Sequence, residues 1–229
     1  MVTVVIARDQ DSPTHLHPMV GETGYLGAIA LATANLRLGQ GDAKLDFSEI
    51  FGLSANGFFA PHEEAISLDR EIDLLRVVTR WFEDLPSPLL LTWKGAEFDI
   101  PFLQFRALAA NTPAKWLLTA SQPDTEDLFT TGHVDLCRYL RFQTLSMSLD
   151  QALCEIGFQR DPTIRGLARL ELTASGLLLL AANAFSLRGA ISENVFNNFV
   201  DSFQVRARQF SVTRSHFGFY AADEAAKNG

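Results

Sequence analysis

Val2 to Ala7 forms an almost uninterrupted apolar run and reads as a first strand. Further strand-like stretches, separated by Gly-rich turns, are predicted at Gly24 to Thr33, Leu36 to Leu38 and Lys44 to Phe47. The hydrophobic period then changes. Leu68, Ile72, Leu75, Val78 and Phe82 recur at helical spacing, which predicts a helix from Leu68 to about Glu83. Ser67 is its expected N-cap, and Asp69 and Glu71 suit its positive end. Pro86 and Pro88 stop it, and the run Leu89–Trp93 predicts a buried strand.

A Lys94-Gly95 turn follows, then apolar residues at helical spacing behind a single acidic residue, Asp99. A strand, a glycine turn and a helix in this order place a polar group at the carboxyl edge of a sheet. Here that group is a carboxylate and not a phosphate-cradling glycine loop, which points to metal chemistry. Residues 112–132 read as a polar, Pro-containing loop long enough to be a lid. Val134 to Leu136 reads as a short strand, and Ser148 as the cap of a helix reaching Gly157. Residues 165–189 predict a long buried helix, and Ile191 to Arg208 another with Val195, Phe199 and Phe203 on one face. From Ser211 the periodicity weakens, so a single domain over residues 1–210 and a C-terminal tail over 211–229 are expected. The order of elements gives an α/β fold with a mixed central sheet flanked by helices.

Composition narrows the picture. With 229 residues, 47% of them hydrophobic, the chain can bury a sizeable core. Its net charge of −8 argues against an avid, sequence-independent grip on long nucleic acid, although a local basic groove remains compatible with it. Two cysteines, Cys137 and Cys154, make neither a disulfide framework nor a zinc site and read as buried thiols. His15-Leu16-His17 lacks a clear third ligand and reads as loop histidine. The apolar patch Leu177 to Leu180 is bounded by Asn183 and Arg188, short of a membrane span. The opening strand carries no basic leader, so a cytoplasmic protein without a membrane segment is expected.

Lys94-Gly95-Ala96-Glu97-Phe98-Asp99-Ile100-Pro101, with Arg106 beyond, resembles the second motif of the DEDD-superfamily 3'-5' exonucleases, roughly Asn-Gly-x-x-Phe-Asp-x-Pro. The likeness is greatest to the exonuclease domain of family B DNA polymerases and its stand-alone bacterial relatives. Gly132-His133-Val134-Asp135-Leu136 and Ser148-Leu149-Asp150-Gln151-Ala152-Leu153 resemble the family's His-x-Asp-Leu and Ser-Leu-Asp-x-x-Ala segments, so the resemblance runs from about residue 68 to 190. It implies a ribonuclease H-like fold and a magnesium- or manganese-dependent site. Substrate contacts are then expected from Lys94, Phe98, Arg106 and His133.

Two-metal hydrolysis needs several carboxylates converging on cations about 3.5–4 Å apart. The family supplies Asp-x-Glu on the first strand, Asp in the second motif, and Asp in a late helix four or five residues after a Tyr or His. Asp99 fits the second motif. On the first strand, Asp9 and Asp11 are the carboxylates offered, although strict strand position sets Ala7 at the family's Asp and Asp9 at its Glu. Asp9 and Asp11 read equally as metal ligands on one strand face or as an ordinary polar strand end. In the late helix, counting back from Leu187-Arg188-Gly189 sets Arg169 at the Tyr and Thr173 at the Asp. Glu171 lies two helical residues, about 200°, away from the needed direction.

Three functions follow. The preferred one is an exonuclease-like domain with an incomplete carboxylate set, catalytically weak or inactive, binding single-stranded nucleic acid, a protein or a second copy of itself. The alternative is an active magnesium- or manganese-dependent 3'-5' exonuclease using Asp9, Asp11, Asp99 and a fourth carboxylate from Glu171, Asp161 or Asp135. A third is an unrelated α/β binding protein.

Overall fold

The computed structural model describes residues 1–8, 26–38, 43–55, 66–68, 71–86, 88–119, 132–140, 147–158 and 163–209. Asp9, Asp11, His15, His17 and Asp161, and the expected tail from Ser211, lie outside the described residues.

Six strands form one mixed sheet in the order β4-β3-β2-β1-β5-β6. β1 (Val2–Arg8) pairs antiparallel with β2 (Leu26–Leu38), which pairs antiparallel with β3 (Ala43–Ala55). On its other side β1 pairs parallel with β5 (Leu90–Thr92), and β5 pairs parallel with β6 (His133–Asp135). The carboxyl ends of β1, β5 and β6 therefore share one edge of the sheet. The mixed, helix-flanked sheet read from the sequence is the fold observed.

Local boundaries differ in informative ways. The three short segments expected after β1 are two long strands. β2 continues through Thr33 and Ala34 by a register shift, and β3 runs eight residues past Phe47, to Ala55. Gly52 lies within that continuation. Its missing side chain is needed here, because a Cβ would stand 2.7 Å from Leu167 Cγ and 2.8 Å from Glu171 Oε1. Ser67 and Leu68, read as the cap and start of a helix, belong instead to the edge strand β4 (Ile66–Leu68), parallel to β3. The helix α1 spans Glu71–Glu83, with Glu71 and Asp73 in its first turn where the dipole favours acids. Leu74, Leu75, Val78, Thr79 and Phe82 are its buried face.

Both faces of the sheet are covered. On one side α1 packs with α2 (Asp99–Ala109) and α3 (Lys115–Thr119) over Val2, Ile29, Leu31 and Leu90. Trp116 stacks on Phe82 with ring centroids 4.1 Å apart. On the other side α6 (Gly166–Leu187) lies over Ala30, Ala32 and Ala34, whose small side chains let a helix rich in leucine approach closely. Thr3 Oγ1 donates to Ala174 O at 2.8 Å and sets the depth of that contact. α6 is 22 residues, longer than its apolar patch suggested, and by length and composition it could cross a membrane. Its apolar window is 72% buried within the protein, as expected of a core helix.

The remaining helices are α4 (Leu136–Tyr139), α5 (Leu149–Glu155) and α7 (Glu193–Gln209). Ser148 caps α5 as expected, in a capping box with Gln151. α7 brings Phe203 edge-on to Phe47 at 5.0 Å.

Candidate metal centre at the Asp99 turn

β5 ends at Thr92, and seven residues later Asp99 opens α2. Asp99 is half-buried. The turn between them is tight. Glu97 N and Phe98 N both donate to Lys94 O at 3.2 Å, and Ile100 N donates to Gly95 O at 2.8 Å. Lys94 has a φ of 56°, the left-handed region that ordinary side chains avoid. Gly95 is pressed against β5, where a Cβ would stand 2.3 Å from Thr92 Cβ and Oγ1.

A carboxylate from the neighbouring strand closes this turn. Asp135, at the end of β6, is fully buried. Its Oδ1 accepts from Lys94 N at 2.9 Å and Cys137 N at 3.1 Å, and its Oδ2 accepts from Ala96 N at 3.2 Å. Backbone N–H groups converging on a left-handed turn form the kind of concavity that holds anions. Here the protein's own carboxylate fills it. Beside it, His133 Nε2 lies 2.9 Å from Thr92 Oγ1 in the sheet interior. Burial, and secondarily the charge of Asp135, push the Cys137 thiol above its ordinary range.

The residues expected at the substrate are placed differently from one another. Phe98 is 39% exposed beside Asp99, and Lys94 is half-buried in the turn. His133 is buried and engaged with Thr92. Arg106 makes a bidentate ion pair with Glu71 of α1, with Nε to Oε1 at 2.7 Å, and Glu71 Oε1 also accepts from Leu26 N at 2.7 Å. That pair holds the Arg106 guanidinium above its usual pKa. Cys154 is exposed, not buried as read, whereas Cys137 is buried.

The acidic set does not converge among the described residues. No group of three or more His, Cys, Asp or Glu suited to a metal ion occurs there. Asp135 is occupied by three backbone N–H groups. Glu97 is exposed and pairs with Arg138 at 3.1 Å. Glu171 stands over Gly52 on β3, three strand spacings from β5, roughly 14 Å away. Thr173, at the position of the family's late Asp, is buried and donates to Arg169 O at 2.7 Å. A magnesium or manganese pair therefore does not fit the described donors. Asp9 and Asp11 come after β1 in the sequence, outside the described residues.

The sequence model of the RNase_H superfamily matches residues 60–172, a span that holds the Asp99 turn, Asp135 and Glu171. The mixed sheet flanked by helices is a ribonuclease H-like fold, and the part of the chain that matches the superfamily model is just under half of it. Among solved structures it is similar to the family B DNA polymerase of the hyperthermophilic archaeon Pyrobaculum calidifontis, at 16% identity and a TM-score of 0.44. The match covers 91% of this chain and 29% of the polymerase, so the chain spans under a third of that protein's length. No curated protein matches. The matched superfamily model is consistent with the resemblance to DEDD exonucleases carried by Lys94–Pro101.

The clamp made by Asp135 is not legible in the sequence, which shows His133-Val134-Asp135 as a motif and Lys94 where the family has Asn. The signal linking them is conformational: a residue in the left-handed region needs its backbone held.

Proposed function

We propose that this ribonuclease H-like domain is an exonuclease-like binding module, engaging a single-stranded nucleic acid or a protein partner without two-metal hydrolysis. The observation that carries this reading is how the acidic side chains are employed. Of the two carboxylates in the second-motif turn, Glu97 pairs with Arg138 beside Asp99, while Asp135 holds backbone and Glu171 lies over β3. Two cations about 3.5–4 Å apart need a tighter cluster. The exposed Phe98 ring next to Asp99 offers a surface on which a base could stack. The net charge of −8 favours a protein or a short strand over long nucleic acid.

A 5'-labelled single strand incubated with the chain and magnesium or manganese tests this. The expected result is a full-length strand under both metals. Shortening from the 3' end that is lost in Asp99→Ala would overturn it and establish the second reading, an active exonuclease. That reading draws on Asp99 in a firmly held turn and on the presence of Asp9 and Asp11 after β1 in the sequence.

A further inference from the structure

We infer that Asp135 is the positioning residue for Asp99: it acts through the Lys94–Ala96 backbone to hold the turn that presents the Asp99 carboxylate. The inference stands whether Asp99 holds a metal or only contacts a partner. Four observations meet here. Asp135 is fully buried, so its charge is not shared with solvent. Both of its oxygens are used, Oδ1 by Lys94 N and Cys137 N and Oδ2 by Ala96 N. The bonded turn contains the left-handed Lys94, a conformation that persists only where its surroundings impose it. The chain then proceeds directly through the Lys94 O and Gly95 O hydrogen bonds into the first turn of α2, where Asp99 stands.

The chemistry calls for a carboxylate. An asparagine could keep the two bonds to Oδ1, but its amide NH2 would face the Ala96 N–H, donor against donor. A serine is short. It could still cap α4 through Cys137 N, as serine does at many helix starts, but it could not reach Lys94 N or Ala96 N. Asp135→Ser thus separates capping of α4 from control of the Asp99 turn, and Asp135→Asn separates the two oxygens.

The experiment is residue-resolved amide exchange on the full chain, together with the Asp99 side-chain carboxyl carbon shift at neutral pH. In Asp135→Ser, exchange at Lys94 and Ala96 is expected to accelerate about tenfold or more, as for loss of a hydrogen bond to a charged acceptor. The Leu91 amide in β5 keeps its protection, and the Asp99 carboxyl signal moves. In Asp135→Asn, Ala96 accelerates selectively and Lys94 keeps its protection. Unchanged exchange at both amides with an unmoved Asp99 signal in Asp135→Ser would overturn the inference. If Asp135→Ser does not fold, Asp135→Asn decides. Selective loss at Ala96 with a shifted Asp99 signal supports the inference, and a uniform change across the sheet, or none, overturns it.

Discussion

Arg106 on α2 grips Glu71 on α1 through two guanidinium nitrogens, and the same carboxylate receives the backbone N–H of Leu26 at the start of β2. One ion pair thus fastens α1 and α2 to each other and to the sheet. The side chains are 21% and 13% exposed, well shielded from solvent. Arg106→Ala would leave Glu71 half-buried with only the Leu26 bond, at a cost of about 3 kcal/mol. Urea denaturation measures that loss, and a double-mutant cycle with Glu71→Gln should return a coupling of about 1–3 kcal/mol. Near-additive losses would show that the pair contributes little.

Lys94 sets a second test. Its φ of 56° is costly for a residue with a Cβ and worst for a branched one. Lys94→Val should destabilise the protein by about 1–2 kcal/mol. Lys94→Asn should be neutral or slightly stabilising, because Asn tolerates the left-handed region. Chemical denaturation of both variants checks the order, and equal midpoints for Val and Asn would contradict it.

Gly95→Ala should be more damaging than helix propensity implies. The new methyl would enter Thr92, a fully buried residue bonded to His133, at 2.3 Å. Overpacking of this kind costs about 1–3 kcal/mol or more. A drop in the melting midpoint with displaced Thr92 and His133 resonances is the expected result.

The two thiols should separate by reactivity. Cys154 is exposed and Cys137 is buried with its pKa raised, first by burial and then by the neighbouring Asp135 charge. Iodoacetamide at pH 8 should label Cys154 in the native protein and reach Cys137 only on unfolding, as read by peptide mass spectrometry. The sign for stability follows. The unfolded chain releases the Cys137 proton first, so this contribution is intact below the thiol's ordinary 9.0 and lost as pH rises towards and through its higher folded value. Rapid native labelling of Cys137 would contradict the placement.

The helix and strand periods carried most of the architecture. The Leu89–Trp93 run, the Asp99 helix, the Ser148 cap and the long helix after residue 165 all stand where spacing put them. The failures have physical causes. Ser67 looks like a helix cap, yet Ile66–Leu68 extends because β3 offers a partner edge, and only tertiary pairing reveals that. Gly52 is a poor strand former by itself, while its role within β3 is to admit Leu167 and Glu171. At the site, sequence could name Asp99 and flag Thr173 as a poor ligand. It could not show that Arg106 is committed to Glu71 or Asp135 to Lys94 and Ala96, since those partners lie 35 to 41 positions apart.

The proposed binding role requires that the acidic groups of this protein do not cage two divalent cations. Manganese titration followed by electron paramagnetic resonance tests it most directly, because two manganese ions held a few ångströms apart give a spin-coupled spectrum that isolated ions do not. Only isolated, weakly held manganese is expected, with the same spectrum in wild type and Asp99→Ala. A coupled pair bound by the wild type and lost in Asp99→Ala would contradict it.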